Sequence, residues 1–159
     1  MISAVDLLKG IAICANMNSV DVDNATGYID TNFEGKCQAA IDEFKKGQDL
    51  VYVHVEAPDE CGHRNELENK VKSISLIDKL VLAPVVAELE KMGDFKVLVT
   101  PDHATPLSLK THTNDPIPFF IYDSRTDNSG VNGFCEKTAK ETGYYIENGF
   151  TIMNEFTAE

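Results

Sequence analysis

Two short stretches place acidic and imidazole side chains where chemistry is expected. EAPDECGH holds Asp59 and His63, four residues apart. TPDHATP holds Asp102 and His103 side by side, and KTHTNDP adds His112 in a polar run. A helix starting near Asp59 would put Asp59 and His63 on one face. Adjacent residues diverge on a regular element, so Asp102 and His103 converge only where the strand before them has ended, here at Pro101. Two carboxylates and three imidazoles make a mixed oxygen and nitrogen set that suits Mn²⁺ or Zn²⁺, whereas Mg²⁺ prefers oxygen and retained water. Five donors exceed the three protein ligands usual for one open catalytic ion. They are too few for two fully ligated ions, so they fit a two-ion site that lacks some ligands.

Each residue also has an ordinary role. Asp59 serves equally well as a helix cap, Asp102 as the acceptor of an Asx turn, and His63 as a surface histidine. What favours metal binding is that three of the four histidines and two loop aspartates fall on loops at one edge of one sheet. The fourth histidine, His54, lies inside VYVHVE and reads as a core or supporting residue. Lys110 is suited to meet an anion but reads as an exposed lysine.

The elements that must position these groups follow from periodicity. Residues 3–15 have helical spacing, with Ser3 and Asp6 placed as a capping box. Residues 18–30 are turn-rich, with room for one short strand. Residues 34–47 form an amphipathic helix closed by Gly47. DLVYVHVEAP, residues 49–58, reads as a strand buried on both faces. From 65 to 92 Leu67, Val71, Ile74, Ile77, Leu80, Val81, Val85 and Leu89 give a long helix facing a sheet, kinked or divided at Pro84 and ended by Gly93. FKVLVT (95–100) and IPFFIYD (117–123) are two further strands, 127–133 is a loop, and 134–156 is helical with breaks near Gly143 and Gly149. This order predicts an α/β three-layer sandwich with a mainly parallel sheet, and sites in such sheets form outside the carboxyl ends of the strands.

The 159 residues carry a net charge of −12, which argues against nucleic acid and anionic membranes as partners. No apolar run approaches the ~20 residues of a membrane span. An anionic substrate would need a local reversal of field, which a bound divalent cation provides. Cys14, Cys37, Cys61 and Cys135 form no CxxC motif and read as reduced cytosolic thiols without a covalent role. The opening MISAVDLLKG starts inside a helix-like pattern, so the chain reads as a piece of something longer.

VYVHVEAPDECGH followed by VTPDHATPLSLKTHTNDPIPF resembles the carboxyl-terminal part of the archaeal-type cofactor-independent phosphoglycerate mutases, of the alkaline phosphatase superfamily. ISAVDLLKGIA and NATGYIDTNFEGK are similar to that family too, so the resemblance runs to about residue 123. It implies an alkaline phosphatase-like partial domain. It implies that Asp59, His63 and His112 ligate one ion, and Asp102 and His103 a second. In the family an aspartate and the nucleophilic serine from the amino-terminal part complete that second ion. The pattern departs there: no segment of this chain supplies them, and the inserted substrate domain is missing as well. The implied reaction is interconversion of 3- and 2-phosphoglycerate in cytoplasmic glycolysis, through a phosphoserine. The isolated chain is expected to bind metal weakly and to turn nothing over. A homoserine kinase, another phosphotransferase or phosphatase of the superfamily, and a non-catalytic binding module are the alternatives. Oligomeric state is not legible in the sequence.

Overall fold

The computed structural model describes residues 1–126 and 130–158. The chain divides into two compact units, one of residues 1–91 with 105–111, the other of residues 92–104 with 112–158.

In the first unit, helix α1 spans Asp6–Cys14. The expected Ser3 and Asp6 capping box does not form. Val5 is the N-cap, because the Ser3 hydroxyl accepts the Val5 amide at 3.0 Å and lies 3.2 Å from His54 Nδ1. Helix α2, Phe33–Lys45, is capped at its start by Asn32, whose side chain accepts the Gly35 amide. It ends as the sequence predicts, at Gly47 with φ +88. The Gly47 amide donates to the Phe44 carbonyl at 2.9 Å and the Gln48 amide to the Glu43 carbonyl at 3.2 Å, the paired bonds of a Schellman motif.

The segment expected to be a doubly buried strand, residues 49–58, is instead a half-buried extended stretch that runs into helix α3, Ala57–His63. It makes a single parallel bridge, Ile2 to Val53, and Ile2 bridges Val20 in parallel on its other side. The Ser3 turn explains the shortness. It bends the chain into α1 directly after Ile2, so only one residue stays in register.

The long helix expected over 65–92 is three pieces: α4 (Leu67–Ile77), a π-helical turn (Asp78–Leu82) and α5 (Ala83–Leu89). Pro84 sits in the first turn of α5. It lacks an amide proton and its ring crowds the preceding turn, which the wider π turn relieves. The predicted sheet-facing stripe packs only in part. Leu76, Ile77, Leu80, Val53 and Val55 gather on buried Phe33, Ala57 and Val81, and burying a side chain such as Phe33 is worth ~1.5–3 kcal/mol. Leu67, Val71 and Ile74 remain 60, 56 and 52% exposed. The fully buried α4 residue is Ser73, because Lys70 one turn earlier ties this polar side of the helix to α3 and the 105 loop, as described below.

In the second unit, β1 (Lys96–Val99) pairs antiparallel with β2 (Phe120–Asp123), Val97 opposite Tyr122 and Leu98 opposite Ile121. Both strands are half-buried, where the sequence pattern predicts full burial. Among the described residues this is the one ladder; the parallel pairing expected of the sheet occurs only as the single-residue bridges of Ile2. Two short helices follow, α6 (Glu136–Glu141) and α7 (Ile152–Thr157), with breaks at Gly143 (φ +69) and at a 3₁₀ turn from Gly149, as expected. Of the loop predicted over 127–133, residues 127–129 lie outside the described residues, and 130–133 carry no helix or strand.

Candidate metal centre

In the first unit the site grows out of the junction between the extended stretch and α3. Pro58 opens the helix where no amide partner is needed. Asp59 lies in the first turn, where the helix dipole favours a carboxylate, and His63 in the last. The four-residue spacing brings His63 Nε2 to 3.2 Å from Asp59 Oδ2.

Each of these side chains is held from behind. His63 Nδ1 donates to the Lys110 carbonyl at 2.9 Å. The neutral ring therefore carries its proton on Nδ1 and presents an Nε2 lone pair toward Asp59, the usual arrangement of a metal-binding histidine. Thr105 Oγ1 donates to Asp59 Oδ1. Lys70 Nζ donates to the carbonyls of Pro58 (2.9 Å) and Thr105 (3.1 Å), joining the start of α3 to the loop that carries Thr105. Gly62 makes the approach possible. A Cβ there would lie 2.6 Å from the Thr105 carbonyl oxygen and 2.9 Å from Lys70 Nζ.

In the second unit, β1 stops at Val99 and the chain turns at Pro101, releasing Asp102 and His103 from strand geometry. Asp102 Oδ1 accepts the His103 amide at 3.1 Å, and Asp102 Oδ2 lies 3.3 Å from His103 Nε2. Asp102 thus holds the amide of the next residue, where an Asx turn would take the amide two residues on, and its other oxygen faces the His103 ring. The Ala104 to Thr113 bridge then carries His112 beside His103, their ring centroids 3.7 Å apart and tilted by 32°. His112 and Asp102 are exposed, and His103 is half-buried.

The residues fit divalent ions. In each Asp–His pair a carboxylate oxygen and an imidazole nitrogen stand 3.2 or 3.3 Å apart. Two donors on one ion with bonds of ~2.0–2.1 Å at a tetrahedral angle are separated by about 3.3 Å.

The sequence pattern pairs Asp59 with His63, and Asp102 with His103, as the structure does. It places His112 in the loop before β2, where it lies. It misses the supports: Thr105, Lys70 and the Lys110 carbonyl. Lys110 itself is exposed, with φ +56, and contributes through its backbone. His54 is half-buried, as read, and its carbonyl accepts Lys36 Nζ at 2.8 Å. Lys36 is fully buried, and burial lowers its pKa to about 8. The sequence did carry a sign of it, since Lys36 falls on the stripe of Phe33, Cys37, Ala40 and Ile41 that α2 buries. All four cysteines are free thiols, and Cys37 and Cys61 are buried. No helix among the described residues is long and apolar enough to cross a membrane.

Residues 1–159 match the family described as the Metalloenzyme superfamily. A probable 2,3-bisphosphoglycerate-independent phosphoglycerate mutase of Geobacter sulfurreducens is 50% identical over 154 residues, which is 96% of this chain and 38% of the relative. A 2,3-bisphosphoglycerate-independent phosphoglycerate mutase of Methanosarcina acetivorans is 52% identical over 142 residues, 88% of this chain and 36% of the relative. The chain thus spans little more than a third of the length of these curated relatives. The solved structure of the PH0037 protein from Pyrococcus horikoshii superposes with a TM-score of 0.74 at 30% identity, covering 88% of this chain and 42% of that one.

Proposed function

The chain belongs to the Metalloenzyme superfamily, and we propose that it is the carboxyl-terminal, metal-holding portion of a 2,3-bisphosphoglycerate-independent phosphoglycerate mutase. The whole enzyme interconverts 3- and 2-phosphoglycerate through a phosphoserine, in the cytoplasm. Its metal domain is the three-layer sandwich with a mainly parallel sheet, of which this chain supplies a part.

In this reading Asp59, His63 and His112 hold one divalent ion, and Asp102 and His103 a second, with Mn²⁺ or Zn²⁺ the best match to the donors. The amino-terminal portion supplies the serine nucleophile and the remaining ligands, and an inserted domain grips the substrate. When bound, the ions supply Lewis-acid stabilisation of charge on the transferring phosphoryl group and lower the pKa of the attacking hydroxyl. They also give an acidic chain a local positive field for an anionic substrate.

This chain's own residues hold and orient. The Lys110 carbonyl fixes the His63 proton on Nδ1. Thr105 occupies one oxygen of Asp59 and leaves the other facing His63. The observation that carries the reading is this supported Asp59–His63 pair, within a chain about half identical to mutases along nearly its whole length.

The test replaces the matched 38% of the Geobacter relative with this chain and assays the full-length chimera with Mn²⁺. Isomerisation within ~10-fold of the parent, abolished by His63→Ala, is the expected result. A folded chimera that lacks mutase turnover but phosphorylates homoserine from ATP overturns it. The isolated 159-residue chain is expected to give no isomerisation.

A further inference from the structure

Two asparagines of the chain precede a glycine, Asn132 and Asn148. An asparagine side-chain carbonyl lies within reach of the next backbone nitrogen, and a glycine there puts no Cβ in the way. Both asparagines are exposed, so access does not separate them. Their backbones do. The Asn148 carbonyl accepts the Thr151 amide and the Thr151 hydroxyl, each at 2.8 Å. That carbonyl and the Gly149 nitrogen share one peptide plane. The plane must turn about the Cα–C bond of Asn148 before the nitrogen can face the side chain, and the two bonds into the 3₁₀ turn resist this. Asn132 lies in a bend ahead of α6. Among the described residues, none hydrogen-bonds its carbonyl, its side chain or the Gly133 amide. Gly133 has φ +103 and nothing within 4 Å of its Cβ position, so the chain has room to close a ring there. The first anchor comes one peptide later, where Thr138 Oγ1 donates to the Gly133 carbonyl at 3.0 Å.

We propose that Asn132 is a self-modification site, which the folded chain converts without an enzyme into aspartate and L-isoaspartate. The Gly133 amide nitrogen gives its proton to a solvent base and attacks Cγ of Asn132. The Cγ–N bond forms, the Cγ–Nδ2 bond breaks, and Nδ2 leaves as ammonia with a proton from solvent. Water then opens the succinimide ring. Attack at Cγ gives aspartate with the ordinary linkage. Attack at the main-chain carbonyl carbon gives L-isoaspartate, whose main chain runs through Cβ and Cγ. No oxidant, reductant or metal takes part. Each event adds one negative charge to a chain already at −12, just ahead of Cys135 and the start of α6. The L-isoaspartyl product presents a free α-carboxyl, the group that isoaspartyl methyltransferases esterify with S-adenosylmethionine as methyl donor. None of this depends on the mutase reading.

Peptide mapping of the folded chain, incubated at mildly alkaline pH, tests this. Two hydrogen bonds of ordinary net strength lower the open fraction at Asn148, so Asn132 should be converted about tenfold faster. Fragment spectra place the change, and labelled methyl transfer by a purified isoaspartyl methyltransferase counts the isoaspartate. In urea both asparagines lose their surroundings, and the two rates should converge. Thr151→Val removes the hydroxyl donor and should speed conversion of Asn148 while leaving Asn132 unchanged. Asn132→Gln, at an exposed position, should remove most early methyl acceptance. Equal rates at the two asparagines in the folded chain overturn the proposal. So does a difference that persists in urea, which assigns it to sequence and not to the fold. Methyl acceptance undiminished in Asn132→Gln overturns it as well.

Discussion

His63 and Lys110 are 47 residues apart in sequence, and the ring of one donates to the backbone carbonyl of the other at 2.9 Å. The bond decides which imidazole nitrogen carries the proton and which is left with a lone pair facing Asp59. It also makes the conformation of Lys110, and not its charged side chain, the relevant property. Lys110 has φ +56, a left-handed backbone that suits glycine and strains a β-branched residue. Lys110→Gly should therefore keep Mn²⁺ affinity, and Lys110→Val should weaken it by up to about tenfold. Calorimetric titration of the two variants reads this directly. Loss of affinity in Lys110→Gly would return the role to the ammonium group.

Gly62 gives a test of the packing behind the same pair. Its absent Cβ would collide with the Thr105 carbonyl, whose own residue holds Asp59. Gly62→Ala should cost about 1–3 kcal/mol, the usual range for overpacking, and Mn²⁺ affinity should fall with it as Thr105 is pushed off Asp59. Gly10, inside α1, has nothing within 4 Å of its Cβ position. Gly10→Ala should raise stability by ~0.5–1 kcal/mol. Urea titrations of both variants show whether the sign reverses between the two glycines.

The contrast between these residues explains what the sequence reveals. Asp59 and His63 are legible because four residues on a helix is local geometry. Asp102 and His103 are legible because a proline ends the strand before them. Thr105, Lys70 and the Lys110 carbonyl act across 35 to 47 residues, and no local pattern encodes such contacts. The stretch 49–58 shows the same limit from the other side. Its β-branched composition is a strand's, but a ladder needs neighbours, and among the described residues Ile2 alone is in register with it. The stripe of α4 misleads for a related reason. Periodicity predicts which face is apolar, whereas the Lys70 bonds determine which face is turned inward.

The thiols should differ sharply in reactivity. Cys135 is exposed, and hydrogen bonding from Thr138 lowers its pKa. Cys37 is buried, and desolvation raises its pKa. The thiolate is the reactive form, so iodoacetamide near neutral pH should label Cys135 first and Cys37 only on unfolding. Peptide mass spectrometry over a time course measures the order. Early labelling of Cys37 in the folded chain would contradict its burial on the inner face of α2.

Lys36 ties stability to pH through a lowered pKa. Its ammonium is buried and donates to the His54 carbonyl, and desolvation lowers its pKa from 10.5 to about 8. Below about 8 the amine is protonated in both folded and unfolded chains, and the cost of burying the cation is present in full. Between about 8 and 10.5 the unfolded chain holds the proton and the folded chain has released it. The unfolded state then binds more protons, so stability must rise with pH across this window. Buried thiols with raised pKa values act in the opposite sense, so the clean quantity is a difference between variants. Lys36→Met keeps the length and apolar stem, removes the titration, and leaves the His54 carbonyl without its donor. Urea midpoints measured at several pH values should rise relative to Lys36→Met as pH passes from about 8 toward 10.5. Parallel profiles for the two proteins would show that Lys36 keeps an ordinary pKa and is not desolvated in solution.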